Sequence, residues 1–119
     1  MGNFITTRIK SIGIAFRGAY FLVKTEASIK LELIIAILST VAGIYVRLSA
    51  VEWMLQILAI GLVISAEGFN TAIEKTVDFI HSDHHHKIGF IKDIAAGAVF
   101  IAAMAAIAVG CFIYIPKIF

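Results

Sequence analysis

Only one cysteine, Cys111, and one proline, Pro116, occur in this chain of 119 residues, and charged side chains make up just 15% of it. A lone cysteine excludes an intramolecular disulfide framework and any zinc motif built on paired cysteines. With one proline near the C-terminal end and no Pro/Ser-rich or low-complexity stretch, nothing marks a linker, and no internal repeat is detectable. One helical domain over residues 1–119 is therefore expected. A polybasic tract is also lacking: 10 Lys and Arg against 8 Asp and Glu leave a formal net charge of +2, so nothing points to nucleic acid. Gly89 is isolated, and no G-x-x-x-x-G-K-[ST] element exists, which excludes a P-loop nucleotide site.

What the chain does have is apolar residues. They make up 61% of it and give a mean hydropathy of +0.97, far above that of a soluble domain, so a membrane protein is expected. Phe4 to Lys24 carries Arg8, Lys10, Arg17 and Lys24 spread through it, unlike the unbroken apolar region of a cleavable signal. Ile5, Ile9, Ile12, Phe16, Tyr20 and Val23 recur at spacings of three and four, while Lys10, Arg17 and Lys24 fall on another face. This pattern predicts an amphipathic surface helix over about residues 4–26, lying in the membrane interface or, alternatively, packed on protein. Three apolar stretches then predict transmembrane helices at about 29–47, 52–74 and 94–115, with Trp53 as an interfacial anchor. Ala95, Ala98, Ala102, Ala106 and Gly110 form a small-residue stripe on the third, suited to close helix approach. Basic residues cluster before the first span and around the second connection, with only Arg47 and Lys117 on the other side. The positive-inside rule then puts the N-terminus and the Lys75–Lys92 region in the cytoplasm and the C-terminus outside.

Chemistry is concentrated at that cytoplasmic level. On a helix, Glu67, Asn70, Glu74 and Asp78 fall within a sector of roughly 80°. A carboxylate inside a membrane costs about 2.5–3.5 kcal/mol on insertion scales, so this stripe is a functional-site candidate, for catalysis or for ion transport. A structural alternative is that Thr71 and Glu74 form a capping box, with Asp78 at the solvated helix end. Glu26 and Glu32 flank the first span; several carboxylates around one site suit Mg²⁺, although Glu26 also has Lys30 at i+4 as an ion-pair partner. His81, Asp83, His84, His85 and His86 read as a solvated connection or a transition-metal site. Lys92, next to Asp93, could neutralise phosphate charge or snorkel to headgroups.

The run Glu67-Gly68-Phe69-Asn70-Thr71-Ala72-Ile73-Glu74-Lys75-Thr76-Val77-Asp78 resembles the E-x-x-N-[ST]-A-I-E-x-x-x-D signature of the prokaryotic diacylglycerol kinase family. Ala15-Phe16-Arg17-Gly18, Lys24-Thr25-Glu26, Glu52-Trp53 and Lys92-Asp93-Ile94-Ala95-Ala96-Gly97-Ala98-Val99 resemble its other blocks, in order. The resemblance implies a homotrimer of three-span protomers in the bacterial inner membrane, with active sites shared between neighbours. It further implies an ATP- and Mg²⁺-dependent lipid kinase making phosphatidic acid from diacylglycerol. Glu67 would be the general base and Asn70 would shape its site, with Glu26 and Glu74 as Mg²⁺ ligands. Lys92 and Asp93 would contact the nucleotide, and Asp83, His84 and His85 would help hold ATP, with Asp78 at the edge of the site. Lys24-Thr25-Glu26 and Asn70 to Glu74 are also similar to the undecaprenol kinase branch, so undecaprenol is the alternative acceptor. A small cation transporter or channel remains the reading from another class, and a regulatory membrane protein a third.

Overall fold

The structure is a computed structural model and describes residues 2–81 and 85–119. Four helices account for nearly all of them: α1 (Gly2–Thr25), α2 (Ala27–Val46), α3 (Ala50–Ile80) and α4 (His86–Ile118). The last three are each long and apolar enough to cross a membrane. The exposed surface agrees, since large apolar side chains such as Ile37, Leu58, Phe100 and Phe112 point outward while few hydrophobic residues are buried. That arrangement is stable where hydrocarbon, not water, is the solvent, because helices satisfy their backbone hydrogen bonds internally.

Helices α3 and α4 form the main antiparallel pair. Asp78 meets Lys92 at one end, while Gln56 meets Tyr114 and Glu52 meets Lys117 at the other. Ala95 and Ala102, two members of the small-residue stripe, are buried in the bundle. Helix α2 packs antiparallel to α3, with Ser39 against Gln56 and Gly43 against Trp53. Gln56 donates to the Ser39 carbonyl at 3.1 Å, and the Tyr114 hydroxyl reaches both that carbonyl, at 3.2 Å, and Gln56 Oε1. Interhelical hydrogen bonds of this kind contribute about 0.6–2 kcal/mol each in a membrane.

The turn between α2 and α3 is built from local chemistry. Arg47 adopts a left-handed conformation (φ 59°), and the Leu48 and Arg47 amides return to the Gly43 and Ile44 carbonyls, a Schellman closure. Ser49 and Glu52 then cap α3 reciprocally, at 3.2 and 2.9 Å. The Thr71–Glu74 pair has the same sequence spacing but lies inside α3, which runs unbroken past it, so the capping alternative for those two residues does not hold. Gly43 is required by packing: a Cβ there would sit 2.6 Å from the Trp53 ring and 2.8 Å from Leu48. Gly43→Ala is therefore expected to lower stability by about 1–3 kcal/mol. Thermal unfolding in micelles checks this, with Gly61→Ala, where a Cβ meets nothing within 4 Å, as the control.

A single residue separates α1 from α2. Glu26 takes an extended backbone (φ −97°, ψ 114°), redirecting the chain while its amide still bonds the Leu22 carbonyl at 2.9 Å. The last turns of α1 reach α3: Leu22 lies over Gly68, and the Lys75 ammonium sits 5.5 Å from the Phe21 ring centre. No residue of α1 is buried, and Ile5, Ile9, Ile12, Phe16 and Tyr20 are all exposed.

Candidate active site

Four structural elements bring their polar residues to the same end of the bundle. The α1–α2 elbow supplies Glu26, and the first two turns of α2 supply Glu32. The C-terminal half of α3 supplies Glu67, Asn70, Glu74 and Asp78, and the start of α4 supplies Lys92. On α3 the i+3 and i+4 steps align the stripe, and Asn70 Nδ2 donates to Glu74 Oε1 at 3.3 Å. Glu67 lies within electrostatic reach of both Glu74 and Glu26, and Glu32 within reach of Glu67. Four carboxylates from two helices and an elbow thus repel one another unless a cation or proton intervenes.

Lys92 closes the cluster from the other side. Its ammonium is 2.7 Å from Asp78 and within electrostatic reach of Glu74. Among the described residues, two side-chain polar atoms are buried with no partner, Glu32 Oε2 and Asn70 Oδ1, both at this end. Buried oxygens of this kind normally find a donor or a cation, so their lone pairs are available to a ligand.

The remaining candidates divide. His85 caps α4, its Nδ1 accepting from the Lys87 amide at 3.1 Å. Its ring stacks on His86 with centres 4.7 Å apart, and His81 lies 5.9 Å away. Asp93 is exposed and makes no side-chain hydrogen bond or ion pair among the described residues. Asp83 and His84 lie outside the described residues. Glu26 forms no ion pair with Lys30 and lies within electrostatic reach of Glu67.

The donor set fits a hard divalent cation. Carboxylate and amide oxygens surround the site, while among the described residues no three His, Cys, Asp or Glu side chains form a closed cage. Mg²⁺ is usually held by one or two carboxylates together with substrate phosphates and water, so an incomplete protein cage is what such a site presents. Sequence reasoning treated Glu32 only as an extra carboxylate at this level. Its approach to Glu67 comes from the antiparallel packing of α2 on α3, which no local spacing reveals.

Comparison with known proteins bears on this geometry. The family model described as prokaryotic diacylglycerol kinase matches residues 13–114, which include every polar residue of the cluster. The undecaprenol kinase of Bacillus subtilis (strain 168) is 38% identical over 116 residues, covering 98% of this chain and 94% of that protein. The diacylglycerol kinase of Escherichia coli (strain K12) is 32% identical over 108 residues, covering 91% and 88%. A carboxylate cluster facing a lysine at one end of an apolar three-span bundle, and a family match over most of its length, lead to one assignment: the chain belongs to the prokaryotic diacylglycerol kinase family and is a membrane lipid kinase.

Proposed function

We propose that the enzyme transfers the γ-phosphoryl group of ATP to the hydroxyl of a long-chain membrane lipid at the cytoplasmic face of the bacterial inner membrane. The convergence of Glu67 with Glu26 and Glu74, opposite Lys92, carries this reading. Glu67 takes the proton as the lipid oxygen attacks the γ-phosphorus. The new P–O bond forms as the bond to the bridging oxygen breaks, and ADP leaves with that electron pair. Asn70, held by Glu74, helps shape the site around Glu67, its carbonyl oxygen being open to a donor. Glu26 and Glu74 would hold Mg²⁺, which when bound supplies charge neutralisation at the phosphates. Lys92 and Asp93 contact the nucleotide, and His85, with Asp83 and His84, helps retain it. Asp78 keeps Lys92 oriented through their 2.7 Å contact.

Between the two acceptors, undecaprenol is favoured by the higher identity to the Bacillus subtilis undecaprenol kinase, 38% against 32% for the Escherichia coli diacylglycerol kinase. Diacylglycerol, converted to phosphatidic acid, is the second reading and has the name of the matching family behind it. The distribution of Lys and Arg supports a cytoplasmic N-terminus. Helix α1, with no buried residue, suits a helix lying on the membrane surface, and the open apolar faces suit a homotrimer with sites between neighbouring protomers.

The deciding experiment is transfer of ³²P from γ-labelled ATP to undecaprenol and to diacylglycerol in detergent–lipid micelles, with and without Mg²⁺. Mg²⁺-dependent label in one lipid identifies the acceptor. Absence of label in both from a folded protein, alongside ATP-independent cation flux in vesicles, would replace this reading by transport. In the same assay, Glu26→Gln and Glu74→Gln are each expected to raise the Mg²⁺ concentration for half-maximal rate about tenfold or more, because changing even a residue that only supports a ligand costs about 10–100-fold in metal affinity.

A further inference from the structure

The end of the bundle away from the Glu67 cluster contains a buried polar group that the phosphoryl-transfer chemistry does not use. Gln56 is 6% exposed in the middle of an apolar face, and it joins all three spans by meeting Ser39 of α2 and Tyr114 of α4. Among the described residues, two ion pairs, Lys92–Asp78 and Lys117–Glu52, also cross between helices, but both link α3 to α4. Among the described residues, α2 has no hydrogen-bonded side-chain tie to the other spans except through Gln56 and Tyr114. The Trp53 ring seated on Gly43 and the short turn after Arg47 fix α2 against α3 at that end, and the hydrogen bonds of Gln56 and Tyr114 add directional ties that include α4.

Helical periodicity connects this group to the site. Gln56 and Glu67 are separated by three turns of α3 and differ by about 20° in direction. Ser39 and Glu32 are two turns apart on α2, again about 20° from the same face. Tyr114 and Lys92 differ by about 40° on α4. Each member of the triad therefore shares a helix face with one member of the site, about 10–33 Å along the axis. A slip of one residue in α2 would move Glu32 by about 1.5 Å and turn it by about 100°, and would carry the Glu26 elbow with it.

We propose that Gln56, Tyr114 and the Ser39 carbonyl form a register clasp, and that Gln56 and Tyr114 are positioning residues for the kinase site at the opposite end of the bundle. The clasp sets the height and rotation of α2 against α3 and α4, and so holds the Glu26 elbow and Glu32 in line with Glu67 and Glu74. The catalytic consequence rests on the kinase reading above; the geometric one does not.

The test compares Tyr114→Phe, Gln56→Leu and the isosteric Gln56→Glu in full-length protein with Cys111→Ser. A protonated glutamic acid in this apolar setting donates to the Ser39 carbonyl and accepts from Tyr114, as glutamine does. Two readouts are used well below the melting temperature. One is the spin-label distance between Ser28→Cys and Ala96→Cys, two exposed positions near the site end, in labelled protein diluted with unlabelled protein. The other is kcat with its Mg²⁺ dependence. Tyr114→Phe and Gln56→Leu should shift or broaden the distance, lower kcat by about 10- to 100-fold, and raise the Mg²⁺ requirement, while Gln56→Glu restores all three. If Gln56→Leu does not fold, Tyr114→Phe decides, since it removes only the hydroxyl. A lower melting temperature with wild-type distance, kcat and Mg²⁺ requirement would reduce the clasp to a stabilising contact and overturn the proposal. Should wild-type protein label no lipid, the kinase reading fails, and the distance readout alone still tests the clasp.

Discussion

Glu67→Gln is expected to lower kcat by roughly 10²- to 10⁴-fold, the range contributed by a positioned general base. Glutamine keeps the size and hydrogen-bonding shape of glutamate, so the change isolates the loss of a proton acceptor. It also removes one of several mutually repelling carboxylates, since Glu67 is within reach of both Glu26 and Glu74. Folding and assembly should therefore be retained or improved, and thermal unfolding of the variant should be no lower than that of wild type. Single-turnover phosphoryl transfer to lipid measures the rate directly. A variant that labels lipid at the wild-type rate would overturn the proposed base role of Glu67, and Glu32, within electrostatic reach of it, would be substituted next.

Lys92→Ala should be nearly as damaging, lowering kcat about 10²- to 10³-fold, because a fixed cation aimed at developing phosphate charge is difficult to replace. Stability should hardly change. The Lys92–Asp78 contact is short at 2.7 Å, but its side chains are 36% and 58% exposed, and exposed pairs contribute only about 0–1 kcal/mol. Lys92→Arg should recover part of the rate, since it restores the charge with a different donor geometry. Steady-state kinetics against ATP, with thermal unfolding as the control, checks both. A melting temperature that falls in proportion to the rate would instead make Lys92 a structural link between α3 and α4.

The stripe on α3 was legible because Glu67, Asn70, Glu74 and Asp78 belong to one helix, where a 3.6-residue period converts spacing into direction. The family resemblance rested on the same run, and the comparison over residues 13–114 agrees with it. Capping was harder to read: Ser49–Glu52 and Thr71–Glu74 have the same spacing, but only the first stands at a helix start. That choice depends on where the chain turns, which the Schellman closure at Arg47 and the contact of Leu48 with Gly43 decide. Asp83 and His84, expected near ATP, lie outside the described residues.

Hydropathy and helical period by themselves determined that this chain is a bundle of apolar helices with acidic residues on one face of α3. Both properties follow from local sequence and from the cost of bare backbone in hydrocarbon. Tertiary structure alone decided that Glu26 and Glu74 both lie within reach of Glu67, that Lys92 meets Asp78, and that Gln56 joins Ser39 to Tyr114. These contacts depend on the relative height and rotation of separate helices. Hydropathy and helical period along one helix do not specify those two quantities, which are set where particular side chains and turns meet, as Trp53 meets Gly43.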